Sequence, residues 1–430
     1  MKKTMKTMLA FVAGALALSA CNNEDILNEN ENNGGAKLVT LTAYQEGEGA
    51  TRAAIDGTTS TQIDWTASDQ INYFGGGSNE YMTLSSGEGK ATGSFSGEVT
   101  TGSDDYVLYP YNAEATCSEG TITTAIPSAQ SVPAGTFDPA AGLMVGKVNG
   151  TSIQFYNAVG YIAITIPAGS SNITKMVITG NNNERLSGKV TISGIATDAA
   201  PTSIAGTTRT ITDATSPTGV TDGVKYVEVT PNGTTTFAAG STYYVAVAPD
   251  ATLSNGIYVL LYNGTKSNPS TLKLAVKKSS GSLAMARAKV KKVALPAIAD
   301  ADWKDMIALN DANNVANGLY MAPFNLGATA STGSDASAYG DYYSFGEVDT
   351  KSSYSSSAYS GSATLEGLTD AATSNWGPDW RMATKDEWNN NKSNNNVKGL
   401  PLAGYYSGTG RYDAGYDGYY WSSTPNGIKA

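Results

Sequence analysis

The residue types that usually do chemistry are sparse in this 430-residue chain. It holds no histidine, which excludes Ser-His-Asp and Cys-His catalysis and every imidazole metal site. Two cysteines remain, Cys21 and Cys117. One disulfide is arithmetically open to them, and a thiolate zinc site is not. Carboxylates come in close pairs, Asp341 with Glu347 and Asp386 with Glu387, of the kind that can share acid–base work. In a folded extracellular domain such pairs serve turns, caps and surfaces far more often. Asp413 and Asp417, set among Gly415 and Gly418, are the candidates for a Ca²⁺ site. With no triad, metal cluster or phosphate loop, the chain reads as a non-enzyme without a cofactor. The 25 tyrosines are better placed for function, because flat amphipathic rings bury area at small entropic cost and stack on sugar faces. Packing claims most of them. Tyr405, Tyr406, Arg411, Tyr412, Tyr416 and Tyr419 are the first choices for exposed contacts. Cys117 has no histidine to activate it and reads as a small core or loop residue.

Such rings need a rigid frame, and composition points to strands. Only 15% of residues are charged, and Thr, Gly, Ser and Tyr are abundant, the balance of an extracellular β protein. Length alone predicts two or three domains. From Lys37 the apolar period is two: Lys37–Tyr44 places Val39, Leu41 and Ala43 on one face. Short β runs follow at 63–74, 106–111 and 143–145, separated by turn residues at the spacing of a sandwich. A second set begins at Ile153 and continues through 175–178, 243–249, 257–262 and 290–293. Pro296–Asp300 reads as an extended linker. Beyond it lie five of the six tryptophans, Trp303, Trp376, Trp380, Trp388 and Trp421, so a boundary falls at 297–302. The expected organisation is a leader over 1–20, a tether over 21–36 and β domains over 37–150 and 151–296. The linker 297–302 and an aromatic domain over 303–430 follow.

The leader has Lys2, Lys3 and Lys6 before an apolar run from Met8 to Ala17, too short to span a bilayer. It ends in Leu18-Ser19-Ala20-Cys21, which resembles the lipobox of bacterial lipoproteins and implies acylation of Cys21, a stable anchor at about 0.8 kcal/mol per buried CH₂. Residues 22–35 are polar, acidic and low in complexity. An acidic stretch after such a cysteine resembles the surface-export signal of Bacteroidota lipoproteins, which implies a lipid-anchored, surface-exposed position on the outer membrane. Loss of residues 1–20 leaves 25 basic and 38 acidic residues, a net charge of −13. That balance disfavours nucleic acid as a partner. The basic cluster Lys277, Lys278, Arg287, Lys289, Lys291 and Lys292 reads as a solvated strand face.

Two family resemblances run along the chain. Over 37–296, the segments Ile63-Asp64-Trp65-Thr66-Ala67-Ser68-Asp69-Gln70-Ile71, Tyr109-Pro110-Tyr111 and Ile126-Pro127-Ser128-Ala129-Gln130 come first. Phe155-Tyr156-Asn157-Ala158-Val159-Gly160 and Tyr244-Val245-Ala246-Val247-Ala248-Pro249 follow. Together they resemble the fimbrillin-like lipoproteins of Bacteroidota, pilus subunits and adhesins built from two tandem β-sandwich-type domains. Over 319–425, Asn325-Leu326-Gly327-Ala328, Tyr339–Glu347, Trp380–Trp388, Pro401-Leu402-Ala403-Gly404 and Gly418–Thr424 form a second set. It resembles the Fibrobacter succinogenes major paralogous domain, whose expected fold is α+β and C-type-lectin-like. Thr384 with Glu387 three residues on has the chemistry of a helix start. That family continues past Tyr-Trp-Ser-Ser-Thr with closing strands, so the domain is expected to be truncated here or completed by another molecule. The Glu-Pro-Asn or Gln-Pro-Asp sugar signature of C-type lectins is absent.

The fold class expected is therefore mainly β, two fimbrillin-like domains followed by the α+β lectin-like one. The resemblance implies a tip or accessory fimbrial subunit and adhesin that meets other fimbrial subunits by donor-strand exchange. Its ligand would be a host or bacterial surface glycan or protein. It also implies proteolytic maturation at Arg52-Ala53, just past the first strand. The alternative is a stand-alone glycan-binding surface lipoprotein outside any pilus.

Overall fold

A computed structural model describes residues 35–46, 65–170, 172–206, 223–354, 364–392, 397 and 399–425. Cys21, Arg52 and Ala53 lie outside the described residues. The fold is mainly β. Among the described residues no helix is long and apolar enough to cross a membrane.

The first strand group closes into a barrel. Its order is Lys37–Gln45, Ser152–Asn157, Met144–Asn149, Tyr106–Tyr109, Gln70–Gly75, Ser78–Ser86 and Gly93–Val99, returning to the first. Lys37–Gln45 pairs antiparallel with Gly93–Val99 and parallel with Ser152–Asn157. Its apolar face points inward as the period-two pattern requires, with Leu41 and Ala43 buried and Val39 packed against the same core. Closure leaves no free edge on this group.

Trp65 plugs the barrel. Its Nε1 donates to the Ala91 carbonyl at 2.8 Å, and its ring meets Phe95 and Tyr109 edge to face at 5.0 and 5.2 Å. The turn after it is folded by Asp69, whose carboxylate accepts from the Thr66 amide at 2.8 Å and the Thr66 hydroxyl at 2.9 Å. The same carboxylate accepts from the Tyr109 hydroxyl at 3.2 Å. One tryptophan and one aspartate four residues apart thus seal the core and set the turn.

Hydrogen bonding crosses residue 150 in both directions. Ser152–Asn157 belongs to the barrel. Thr116–Ser118 and Thr121–Ile126 pair in a four-stranded sheet with Gly188–Ser193 and Ser203–Gly206. Ala129–Val132 joins a six-stranded sheet in the order Lys304–Asp305, Lys273–Lys278, Ile257–Asn263, Ile173–Gly180, Tyr226–Pro231, Ala129–Val132. Three further strands, Thr242–Val247, Gly160–Thr165 and Val290–Ala294, form a separate sheet.

The six-stranded sheet explains why Ile257–Tyr262 is apolar at every position: both faces are covered. Val259, Leu261, Met176, Ile178, Val227 and Ala275 face one core. The alternate residues Tyr258, Leu260, Tyr262, Val177, Leu274 and Val276 face another, completed by Phe324 and Trp376 from the aromatic C-terminal segment. At about 1.5–3 kcal/mol per fully buried large side chain, the second face fixes the C-terminal segment to the β frame. The connection is docked as well: Ile298 and Trp303 pack against the first core, and Lys277 pairs with Asp302 at 2.6 Å.

Candidate functional site

The exposed tyrosines sit on a two-stranded hairpin, Tyr405–Ser407 with Gly410–Tyr412. Tyr405 opposes Tyr412 and Tyr406 opposes Arg411, so period two sends the members of each pair to the same face. On the outer face Tyr405 stacks on Tyr412 with centroids 5.6 Å apart, and Tyr419 meets Tyr405 edge-on at 5.0 Å. Tyr405, Tyr412 and Tyr419 are 39, 50 and 55% exposed; further along the chain Trp421 is 56% and Tyr416 84% exposed. Gly404 fixes the hairpin's root. Its φ is +65°, and a Cβ there would lie 2.1 Å from the Tyr412 carbonyl oxygen.

Of the six residues singled out from sequence, Tyr405, Arg411, Tyr412, Tyr416 and Tyr419 reach solvent. Tyr406 turns inward and is half-buried, 4.7 Å from Tyr342 and 5.3 Å from Tyr354. The Arg411 guanidinium lies 5.2 Å from the Tyr339 ring centroid. Trp421, missed by the sequence reading, is fixed by its Nε1, which donates to the Tyr343 carbonyl at 2.8 Å. Its own carbonyl accepts from Trp388 Nε1 at 3.0 Å. Its place in a Tyr-Trp run was the available signal.

Beneath this surface opens a cavity of about 1250 Å³. Its walls are aromatic: Phe324, Tyr342, Tyr343, Phe345, Trp376, Trp380, Trp388 and Tyr420 all line it. Thr384 caps the short helix Lys385–Asn391 on one wall, accepting from the Glu387 amide at 3.2 Å, while the Glu387 carboxylate accepts from the Thr384 amide at 2.8 Å. That is the capping box expected from spacing. Glu387 also pairs with Arg381 at 2.5 Å, so it is occupied structurally. Asp386 is exposed on the first turn of the same helix.

Asp341 also lines the cavity. Two backbone turns place it. Gly327 and Gly340 both have positive φ, +75° and +72°, a conformation nearly free for glycine. The Asp341 amide donates to the Leu326 carbonyl at 2.7 Å, and Asn325 Nδ2 donates to the Tyr339 carbonyl at 3.1 Å. A Cβ on Gly327 would fall 2.2 Å from the Asp341 carboxylate. Asp341 is solvent-accessible, yet burial by the surrounding walls raises its carboxyl above the usual range, with Lys278, Lys225 and a hydrogen bond from the Tyr343 hydroxyl opposing the shift. Glu347, its partner in the sequence reading, is buried and paired with Lys351.

Asp379 borders the cavity too. Burial pushes its carboxyl up, but hydrogen bonds from Lys175 and Lys266 outweigh this and leave it below its ordinary value. Lys175 reaches Glu228 and Asp379 at 3.1 and 2.7 Å, with its ammonium 4.3 Å from the Tyr262 ring centroid. The calcium candidates are differently engaged. Asp413 has φ +58°, and its carboxylate accepts from the Tyr419 hydroxyl at 3.2 Å. The Asp417 amide donates to the Asp413 carbonyl at 3.0 Å. Among the described residues no group of three or more acidic, cysteine or histidine side chains converges as a metal site. Cys117 is free and half-buried, with burial raising its thiol.

Residues 381–430 match a domain of unknown function, DUF8237. No curated protein matches the chain. Among solved structures, a candidate cell adhesion protein from Bacteroides ovatus is 11% identical, covering 60% of this chain and 92% of that one with a TM-score of 0.33. A candidate cell adhesion protein from Bacteroides uniformis is 17% identical, covering 62% and 94% with a TM-score of 0.30. The tip fimbrial protein Mfa3 from Porphyromonas gingivalis, with a C-terminal truncation, is 10% identical, covering 62% and 96% with a TM-score of 0.29.

Proposed function

We propose that this protein is a non-enzymatic cell-surface adhesin of fimbrial type, a tip or accessory subunit held to the outer membrane through acylated Cys21. The observation that carries the reading is the outer face of the C-terminal hairpin. Tyr405, Tyr412 and Tyr419 stand exposed there in mutual ring contact, with Tyr416 and Trp421 exposed on the same segment, which is packed into the core of a β frame. Exposed rings held against one another are what a contact surface needs, because less side-chain entropy remains to be lost on binding. Within the first segment that resembles the fimbrillin-like proteins, Trp65 fills the barrel core and Asp69 sets the turn after it, which supports the reading. In this reading the leader over 1–20 and tether over 21–36 precede β domains over 37–150 and 151–296 that exchange strands across residue 150. The linker 297–302 then leads to the ligand-facing module over 303–430. Other fimbrial subunits would join by donor-strand exchange after cleavage at Arg52-Ala53, and the ligand is a surface glycan or protein.

The test is recovery of the protein from the surface of the cells that make it. Co-purification in high-molecular-weight filaments supports the fimbrial subunit. A second reading, a stand-alone glycan-binding lipoprotein, draws on Glu46. At the end of the first strand its carboxylate takes a bidentate grip from Arg287, one arm at 2.7 Å, and accepts from the Asn157 amide at 3.1 Å. A strand clamped at its exit resists release. Recovery as a lone membrane-anchored monomer would favour that reading and contradict the filament subunit.

A further inference from the structure

The charged residues lining the aromatic cavity are four carboxylates, Asp341, Glu347, Asp379 and Glu387, and two cations, Lys266 and Arg381, with Lys175 and Lys351 pairing from outside the lining. Three of the four acids are spent. Asp379 pairs with Lys175 and Lys266, Glu387 with Arg381 and Glu347 with Lys351. Asp341 forms no salt bridge among the described residues. It is accessible, lies against Gly327 and is engaged by the Tyr343 hydroxyl, a neutral partner that leaves its charge unpaired. A carboxylate without an ion pair among aromatic faces complements an organic cation, since ring faces and carboxylate both attract positive charge.

The rim indicates how that cation arrives. The strand Ala316–Met321 pairs only with Ile307–Asn310 among the described residues, and Leu319, Tyr320 and Met321 line the cavity. Its outer edge offers main-chain groups beside the opening, the arrangement to which an extended polypeptide adds. The cavity also exceeds the roughly 300–1,000 Å³ of a small-molecule pocket. We propose that the cavity receives a lysine or arginine side chain of a partner polypeptide, its charged head on Asp341 and its methylene stem along the rings. This rests on the adhesin reading and names the ligand class of its C-terminal module. Long cationic side chains suit such a site because the stem is apolar and only the head needs a polar partner.

The experiment uses the full mature chain and the fluorescence of the cavity tryptophans, with three probes: a decapeptide alternating lysine and serine, its fully acetylated form, and chitotriose. The unmodified peptide should quench fluorescence saturably, at least tenfold more tightly than the acetylated one. Asp341→Asn should weaken it at least tenfold, as expected for loss of a charge-assisted contact, while Glu98→Gln, an exposed barrel acid, should leave it unchanged. Equal binding of both peptides, displacement of the peptide by chitotriose, or an equal loss in Glu98→Gln would overturn the proposal. The comparison of the two peptides needs no variant, so it stands even if Asp341→Asn fails to fold. Loss of the cation site would leave the exposed tyrosine face and filament recovery untouched, so the two readings fail separately.

Discussion

Gly404 and Lys225 show what single residues contribute. Gly404→Ala would drive a Cβ into the Tyr412 carbonyl at 2.1 Å and into the Ala414 amide at 2.6 Å, both backbone atoms that cannot step aside. Added to the roughly 1–2 kcal/mol cost of a left-handed non-glycine residue, this should displace the hairpin. Thermal unfolding of the variant should begin lower than in the wild type; an unchanged melt would contradict the geometry. Lys225 is 5% exposed and donates to the Val348 carbonyl at 2.8 Å and Asn183 Oδ1 at 3.2 Å. Burial lowers its ammonium to about 8, against the opposing pull of Asp349. Between about 8 and the unfolded lysine value near 10.4, the unfolded chain holds the proton and the folded chain does not, so stability rises with pH across that window. The denaturation midpoint of the wild type should therefore gain on that of Lys225→Gln between pH 7 and 9.5. A constant difference would mean the lysine is solvated. The capping box at Thr384 and Glu387 was legible because it lies within one turn. Asp341 was visible only as one carboxylate of a pair, since its setting depends on Gly327, fourteen residues away, and on walls from the whole C-terminal segment.

Among elements, the first strand carries the sharpest consequence. The pattern Val39, Leu41, Ala43 revealed it and its buried face. Its neighbours were not legible, because parallel pairing with Ser152–Asn157 joins segments more than 100 residues apart and leaves no local signature. Closure means that removing Lys37–Gln45 would strip pairing from two strands at once and open a groove lined by Trp65, Phe95 and Phe155. If Arg52-Ala53 is the maturation bond, limited trypsin digestion of the mature protein should cut first after Arg52. The product should then associate or take up a donor strand. A first cut near residue 292, or a clipped protein that persists as an inert monomer, would remove the donor-strand reading. Arg287→Ala, which frees Glu46, should speed loss of the clipped strand.

At the scale of the molecule, the six-stranded sheet joins the β frame to the aromatic C-terminal segment. Its outer face buries Tyr258, Leu260, Tyr262, Leu274 and Val276 under Phe324 and Trp376, with Trp380 Nε1 donating to the Tyr262 hydroxyl. The continuous apolar run at 257–262 signalled a strand buried on both faces; what covers the second face was not readable from it. Deleting residues 301–430 would expose that face at a cost on the order of 10 kcal/mol, comparable to the stability of a whole domain. The truncated protein should bind a hydrophobic dye and self-associate, and a monodisperse, dye-silent product would show that the sheet needs no cover. The most direct measurement of the adhesive role is retention of beads coated with the mature chain on a printed array of bacterial and mammalian surface glycans and extracellular-matrix proteins. The wild type should hold to a defined subset, and a Tyr405→Ala, Tyr412→Ala, Tyr419→Ala triple variant, folded by circular dichroism, should lose it at least tenfold. Equal retention of the folded variant, or no retention of the wild type on any spot, would contradict the adhesin.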